Sequence, residues 1–259
     1  MSQFYYEVHS GNGPYLLMLH GIMSSRAQWT SNLEQLKKHT TPVLVESWGH
    51  GRAPSPEDQA LYEPLAYVEQ IEAIRKEIGA ESWFLCGQSF GATTTMRYAL
   101  LYPERVKGQI LTNSTSALAS PEYMEEIYQA AALNAVNLRK HGKKELENVH
   151  GHPKNATRLP ADVQEQLMAD AHLLEPLGLA NVFEYNLPFC SVAENLPDTA
   201  VPTLLVVGKH EKRFAPHREY GERHLPGLEV VSADGGHSIN IDAPDKFNEA
   251  VIDFVKRNS

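Results

Sequence analysis

Gly87-Gln88-Ser89-Phe90-Gly91 fits the pattern G-x-S-x-G. At average glycine and serine frequencies, roughly one chain of this length in ten would hold that pattern by chance. Its setting says more than the pattern. It follows the apolar run Trp83-Phe84-Leu85-Cys86 and opens a segment with helical periodicity, Ala92 to Leu101. A serine on a tight strand-to-helix turn projects its hydroxyl above a sheet at a helix N-terminus, and the flanking glycines remove side chains that would clash there. Ser89 is therefore expected to act as a nucleophile.

A serine hydroxyl is a weak nucleophile at neutral pH. It needs a base to take its proton, and the base needs a carboxylate to hold it in the right tautomer. Of twelve histidines, His237 is the best placed. It lies in Asp234-Gly235-Gly236-His237-Ser238, after the last strand-like run and before the closing helix. Two carboxylates compete to orient it. Glu211 is the first on the loop Lys209-His210-Glu211-Lys212, which follows another apolar run. Asp234 is the rival, but it is close to His237 in sequence and poorly placed to reach behind the ring. An oxyanion needs two backbone N–H donors. Phe90, next after the nucleophile, supplies one, and Ile22 in His20-Gly21-Ile22-Met23 supplies the other. His20 reads as structural.

The elements that must position these residues are legible as apolar runs. They are Tyr15 to His20, Pro42 to Glu46, Trp83 to Cys86, Gln109 to Thr112, Thr203 to Val207 and Leu228 to Val231. Runs of this kind suit strands buried on both faces. Between them lie helical patterns at Ala66–Ile78, Ala92–Leu101 and Pro244–Val255, the last with Asp242 as an expected N-cap. The expected fold is α/β, with a mostly parallel central sheet flanked by helices. From about Ser116 to Pro197 no buried strand is evident, and the segment reads as an insertion of helices.

These features together resemble the α/β-hydrolase superfamily. The matching residues are His20-Gly21 after an early strand, Gly49-His50-Gly51-Arg52 after the next, the serine motif at Ser89, and the chain order Ser89, Glu211, His237. The resemblance spans nearly the whole chain. It implies a helical cap inserted between the sixth and seventh strands of the family's count, with a core of residues 1–115 and 198–259 and a cap of 116–197. It places the acid after the strand that follows the cap, at Glu211, where the family usually has aspartate. A serine nucleophile argues against haloalkane dehalogenases and epoxide hydrolases. Leu111-Thr112-Asn113-Ser114 faintly resembles enol-lactone hydrolases. The implied activity is hydrolysis of a small-molecule ester or lactone. C–C bond hydrolysis and a ligand receptor built on the same scaffold are the alternatives.

Composition bounds the partners. The chain has 259 residues, 42% hydrophobic and 21% charged, as in an ordinary globular protein. Its 32 acidic and 23 basic residues give a net charge of −9, which argues against nucleic acid and anionic membrane. No run approaches ~18 apolar residues, so no membrane span is expected. The N-terminus has no basic region leading into an apolar stretch, so no secretory signal is expected and the cytoplasm is the default compartment. The sequon Asn155-Ala156-Thr157 then carries little weight. Cys86 and Cys190 are too few for a disulfide framework, and Cys86 is expected to be a buried thiol. His141, His150 and His152 are too loosely spaced for a metal site and read as surface histidines of the cap. The chemistry requires no cofactor and no metal. Oligomeric state is not legible.

Overall fold

The computed structural model describes residues 2–156 and 159–259; Thr157 of the sequon lies outside them. Seven strands form one sheet in the order β1-β3-β2-β4-β5-β6-β7. They are β1 (Tyr5–Val8), β2 (Tyr15–Leu19), β3 (Thr41–Glu46), β4 (Trp83–Gly87), β5 (Val106–Thr112), β6 (Thr203–Gly208) and β7 (Glu229–Ala233). All neighbours pair in parallel except β1, which runs antiparallel along β3 with Tyr5 opposite Glu46. The six apolar runs match β2 to β7. The half-buried edge strand β1 was not among them.

The helices of the described residues are α1 (Thr30–Leu36), α2 (Pro64–Glu77), α3 (Phe90–Leu101), α4 (Thr115–Leu118), α5 (Pro121–His141), α6 (Ala161–Ala171), α7 (Pro176–Asn181), α8 (Ala215–His224), α9 (Ile239–Asp242) and α10 (Pro244–Asn258). The two-residue period of a strand sends alternate side chains to opposite faces. Leu17, Leu19, Val43, Val45 and Leu85 therefore pack with Tyr67, Val68, Ile71 and Tyr98 of α2 and α3. Leu16, Met18, Leu44, Phe84 and Cys86 pack on the other face with Trp29, Phe247, Val251 and Phe254. Burying each such side chain is worth about 1.5–3 kcal/mol. Both faces need this cover, which is why the strands are apolar without alternation. Asp242 does not cap α10: Ala243 holds that position without a side-chain bond. Its carboxylate is used elsewhere, as described below.

No strand occurs among the described residues between β5 and β6. That helical insertion therefore lies between the fifth and sixth strands of the sheet, not between the sixth and seventh as expected, because one strand fewer precedes it in this chain. Its longest helix, α5, starts at Ser120, whose side chain accepts the Tyr123 N–H, with Pro121 at the first helical position. It ends in Arg139, Lys140 and His141, followed by Gly142 at φ +60°. The insertion has a core of its own, including Ala131, Ala135, Leu138, Val149, Leu179 and Phe183, and this core closes on Met23 from the loop after β2. Asp170 of α6 fixes it laterally. It accepts hydrogen bonds from Ser25 and from the Arg52 guanidinium, both at 2.8 Å.

Among the described residues no helix is long and apolar enough to cross a membrane. Cys86 and Cys190 are both buried and unpaired, and burial pushes the Cys190 thiol up to about 12.

Candidate active site

Ser89 sits between the end of β4 and the start of α3 with φ +50° and ψ −114°. Among the described non-glycine residues only Ser89 and Met23 have positive φ, at +50° and +61°. Such conformations cost about 1–3 kcal/mol each and persist only where their surroundings enforce them. The two lie in loops leaving β2 and β4, which are paired neighbours in the sheet. Gly91 permits the tight turn, since a Cβ there would strike the Leu19 carbonyl oxygen. A Cβ on Gly21 would lie 3.3 Å from the Ser89 Cβ, so the loop after β2 packs directly beside the serine.

Two backbone donors of these neighbouring loops stand out by what their neighbours do. The N–H groups of Met23, Ser24, Gly91 and Ala92 are all engaged. Among the hydrogen bonds of the described residues, none takes the N–H of Ile22 or of Phe90. The loop is held by two buried histidines whose rings lie 4.9 Å apart. His50 Nε2 accepts the Met23 N–H at 3.1 Å, and its Nδ1–H donates to the Trp48 carbonyl at 2.9 Å. His20 Nδ1–H donates to the Gly21 carbonyl at 2.7 Å, and its Nε2 accepts the Ser47 N–H at 3.3 Å. Burial drives His20 down to about 4 and His50 down to about 3, so both are neutral scaffolding at physiological pH. His50 was singled out in sequence only as part of Gly49-His50-Gly51-Arg52; nothing local in that motif shows that its ring reaches the loop after β2.

His237 and Glu211 meet. His237 Nδ1 lies 3.2 Å from Glu211 Oε2, with the imidazole half exposed and the carboxylate mostly covered. Asp234 is turned away from His237 and pairs instead with His210 Nε2 at 2.7 Å. The His237 loop is clamped at its base. Asn113 Nδ2 donates to the Gly236 carbonyl at 2.8 Å and to the His237 carbonyl at 3.3 Å, while its Oδ1 accepts the Gly208 N–H. Asp242 Oδ2 accepts the Gly236 N–H at 2.7 Å, the task that takes it away from α10. The next residue, Ser114, donates from its hydroxyl to the Ser89 carbonyl at 2.6 Å. Consecutive residues after β5 therefore hold the serine turn and the histidine loop side by side. No hydrogen bond joins the Ser89 hydroxyl to His237 among the described residues; such bonds are commonly long before substrate binds and tighten in the Michaelis complex.

The hydrogen bond from His237 holds the Glu211 carboxyl below its ordinary value, against the opposing effect of burial. A carboxyl with a lowered folded-state pKa adds stability above its unfolded pKa and loses it as pH falls through the lowered value. Replacing it with an amide removes that contribution. Glu211→Gln is therefore expected to be less stable than the native chain at about pH 7, with the difference shrinking as pH falls through and below the ordinary carboxylate range. Urea-unfolding midpoints across that range check this. A gap that persists undiminished in acid would refute the ion-pair account.

His141, His150 and His152 do not converge. His152 is buried and its Nδ1 accepts the Lys154 N–H at 3.2 Å. Among the described residues no group of three or more His, Cys, Asp or Glu is arranged to hold a metal ion.

Comparison with known proteins agrees with the fold. A family model described as the alpha/beta hydrolase fold matches residues 14–244. The chain is 22% identical over 254 residues to Carboxylesterase YbfK of Bacillus subtilis (strain 168), covering 94% of this chain and 81% of that one. Among solved structures, MenH from S. aureus superposes with a TM-score of 0.83 at 18% identity, covering 100% of this chain and 99% of the other. An enol-lactonase from Burkholderia xenovorans LB400 gives a TM-score of 0.80 at 20% identity, covering 98% and 96%.

Proposed function

We propose, from the premise that this chain belongs to the alpha/beta hydrolase fold family, that it is a serine hydrolase cleaving a small carboxylic ester or lactone. The contact between His237 and Glu211, beside a serine in a left-handed backbone conformation, carries the reading. Ser89 attacks the carbonyl carbon and His237 takes its proton. Glu211 holds the imidazole and offsets the charge it acquires. The negative charge that develops on the carbonyl oxygen is received by the N–H groups of Ile22 and Phe90, each worth about 3–4 kcal/mol to such a transition state. The C–O bond then breaks, His237 gives its proton to the departing alkoxide, and the acyl group stays on Ser89. Water activated by His237 releases it as the acid and restores the serine. The helical insertion, residues 116–197, acts as a cap that encloses the substrate.

The likeness to an enol-lactonase and to a carboxylesterase supports ester and lactone bonds ahead of C–C bonds, although one fold carries many chemistries. The direct test is a panel of short-chain 4-nitrophenyl esters, small lactones and ring-fission diketones, run with the native chain and with Ser89→Ala. The native chain is expected to turn over at least one class, with Ser89→Ala at the background rate. Equal rates in the two would overturn the assignment, and turnover confined to ring-fission diketones would move it to C–C hydrolysis.

A further inference from the structure

The net charge of the chain is −9, yet the loop leaving β6 reads Lys209-His210-Glu211-Lys212-Arg213. Two acids beside it are already paired: Glu211 with His237, and Asp234 with His210. Lys209, Lys212 and Arg213 are exposed and take part in no ion pair among the described residues. The insertion approaches the same place from the other side. Val149 is buried in its core and His152 is buried beyond, which fixes the backbone between them. Gly151, at φ +94°, is seated on the oxyanion loop, where a Cβ would lie 3.6 Å from the Ile22 carbonyl oxygen and 3.8 Å from the Met23 Cβ. The preceding residue, His150, is exposed and is also in no ion pair among the described residues. Arg213 stands two residues after Glu211, which touches His237, and His150 directly precedes Gly151, seated on the oxyanion loop, so the loop leaving β6 and the insertion each set one basic residue beside the site.

We propose that Arg213 and His150 form a cationic rim that selects substrates bearing a carboxylate next to the scissile ester or lactone. This rests on the serine hydrolase reading and deepens it. Lys209, Lys212 and Arg213 outnumber Glu211 and Asp234 here, so the rim keeps a positive excess that an anionic substrate would match. Arg213 offers a fixed charge and a planar fork suited to a carboxylate, and His150 offers a ring N–H beside the loop that receives the oxyanion. On a strongly acidic protein, a local positive rim also steers anions to the one place where they are productive.

The test compares 4-nitrophenyl butyrate with mono-4-nitrophenyl glutarate, which share a leaving group and differ by the terminal carboxylate. The native chain is expected to give kcat/KM at least about tenfold higher for the half-ester at low salt, with the advantage shrinking as salt rises. Arg213→Glu should lower the half-ester to butyrate ratio by about tenfold or more, and His150→Gln by about threefold. Lys256→Glu makes the same change in net charge on the far helix α10 and should leave the ratio unaltered. A native ratio of one or below, or a ratio that Arg213→Glu does not move, overturns the proposal. Glutarate binding to Ser89→Ala, measured by calorimetry, separates this from failure of the underlying reading. Binding that is present there and lost in Ser89→Ala/Arg213→Glu supports the rim even if no ester is turned over. Ester hydrolysis without glutarate binding removes the rim and leaves the hydrolase intact.

Discussion

Ser89→Ala and His237→Ala are each expected to lower kcat on a short 4-nitrophenyl ester by about 10⁴ or more, with the double variant no slower than the worse of the two. The reason is that the hydroxyl and the imidazole act as one device. Without His237 the serine keeps its proton, and without Ser89 the imidazole has no nucleophile to activate. In the proposed mechanism, what survives either loss is water attacking a carbonyl that still rests on the N–H groups of Ile22 and Phe90. That residue of catalysis is the same in both single variants, so removing the second group costs nothing further. Independent contributions would instead multiply, giving a double variant slower by about 10⁸. Multiplying losses in steady-state or single-turnover kinetics, or a His237→Ala variant within tenfold of native, would show that His237 is not the base. The scaffold is expected to survive each change, because Ser89 is only half buried and His237 is exposed.

How much of this was legible beforehand follows from where the information lies. Strands β2 to β7 announce themselves because both faces are covered, so their apolar runs are unbroken. β1 was missed because Tyr5–Val8 is a four-residue edge strand whose residues are half buried or exposed, and its partner β3 lies far along the chain. Ser89 was legible because its turn is local: strand, glycine, serine and helix are contiguous. The choice of Glu211 over Asp234 rested on the closeness of Asp234 to His237 in sequence and on the family's chain order; Glu211 lies 3.2 Å from His237, and Asp234 pairs with His210. The residues that hold the site were the least legible. Asn113 read only as part of Leu111-Thr112-Asn113-Ser114, yet it ties β6 to the histidine loop. Asp242 read as a helix cap, since the pattern of an N-cap does not reveal that Gly236 competes for the same carboxylate. Within the insertion, α5 buries small residues such as Ala131 and Ala135, which leave a weak periodic signal, and the core they join is completed by Met23 from outside the insertion.

The most severe loss of stability is expected at a residue with no part in the chemistry. Glu46 ends β3 with its side chain fully buried. One carboxylate oxygen accepts the Arg26 N–H at 3.1 Å and the Arg52 guanidinium at 3.2 Å, and the other accepts the Arg52 N–H at 2.7 Å. The Arg52 guanidinium continues to Asp170 of the insertion, and Asp170 takes the Ser25 hydroxyl. Glu46 is thus the buried root of a chain of contacts that joins β3, the loop after β2 and the insertion. Glu46→Ala strands two backbone donors and leaves the inner side of a guanidinium without its counter-charge. Each stranded donor costs about 1–3 kcal/mol, while the guanidinium, about a third exposed and still paired with Asp170, adds less. Glu46→Gln keeps the shape and one acceptor oxygen, but presents its amide N–H₂ to one of the donors, so its loss should fall between native and alanine. Urea unfolding at about pH 7 reads these differences directly. A Glu46→Ala variant within about 1 kcal/mol of native would mean that water replaces the carboxylate, and that the insertion is held to the core by Met23 and its apolar neighbours alone.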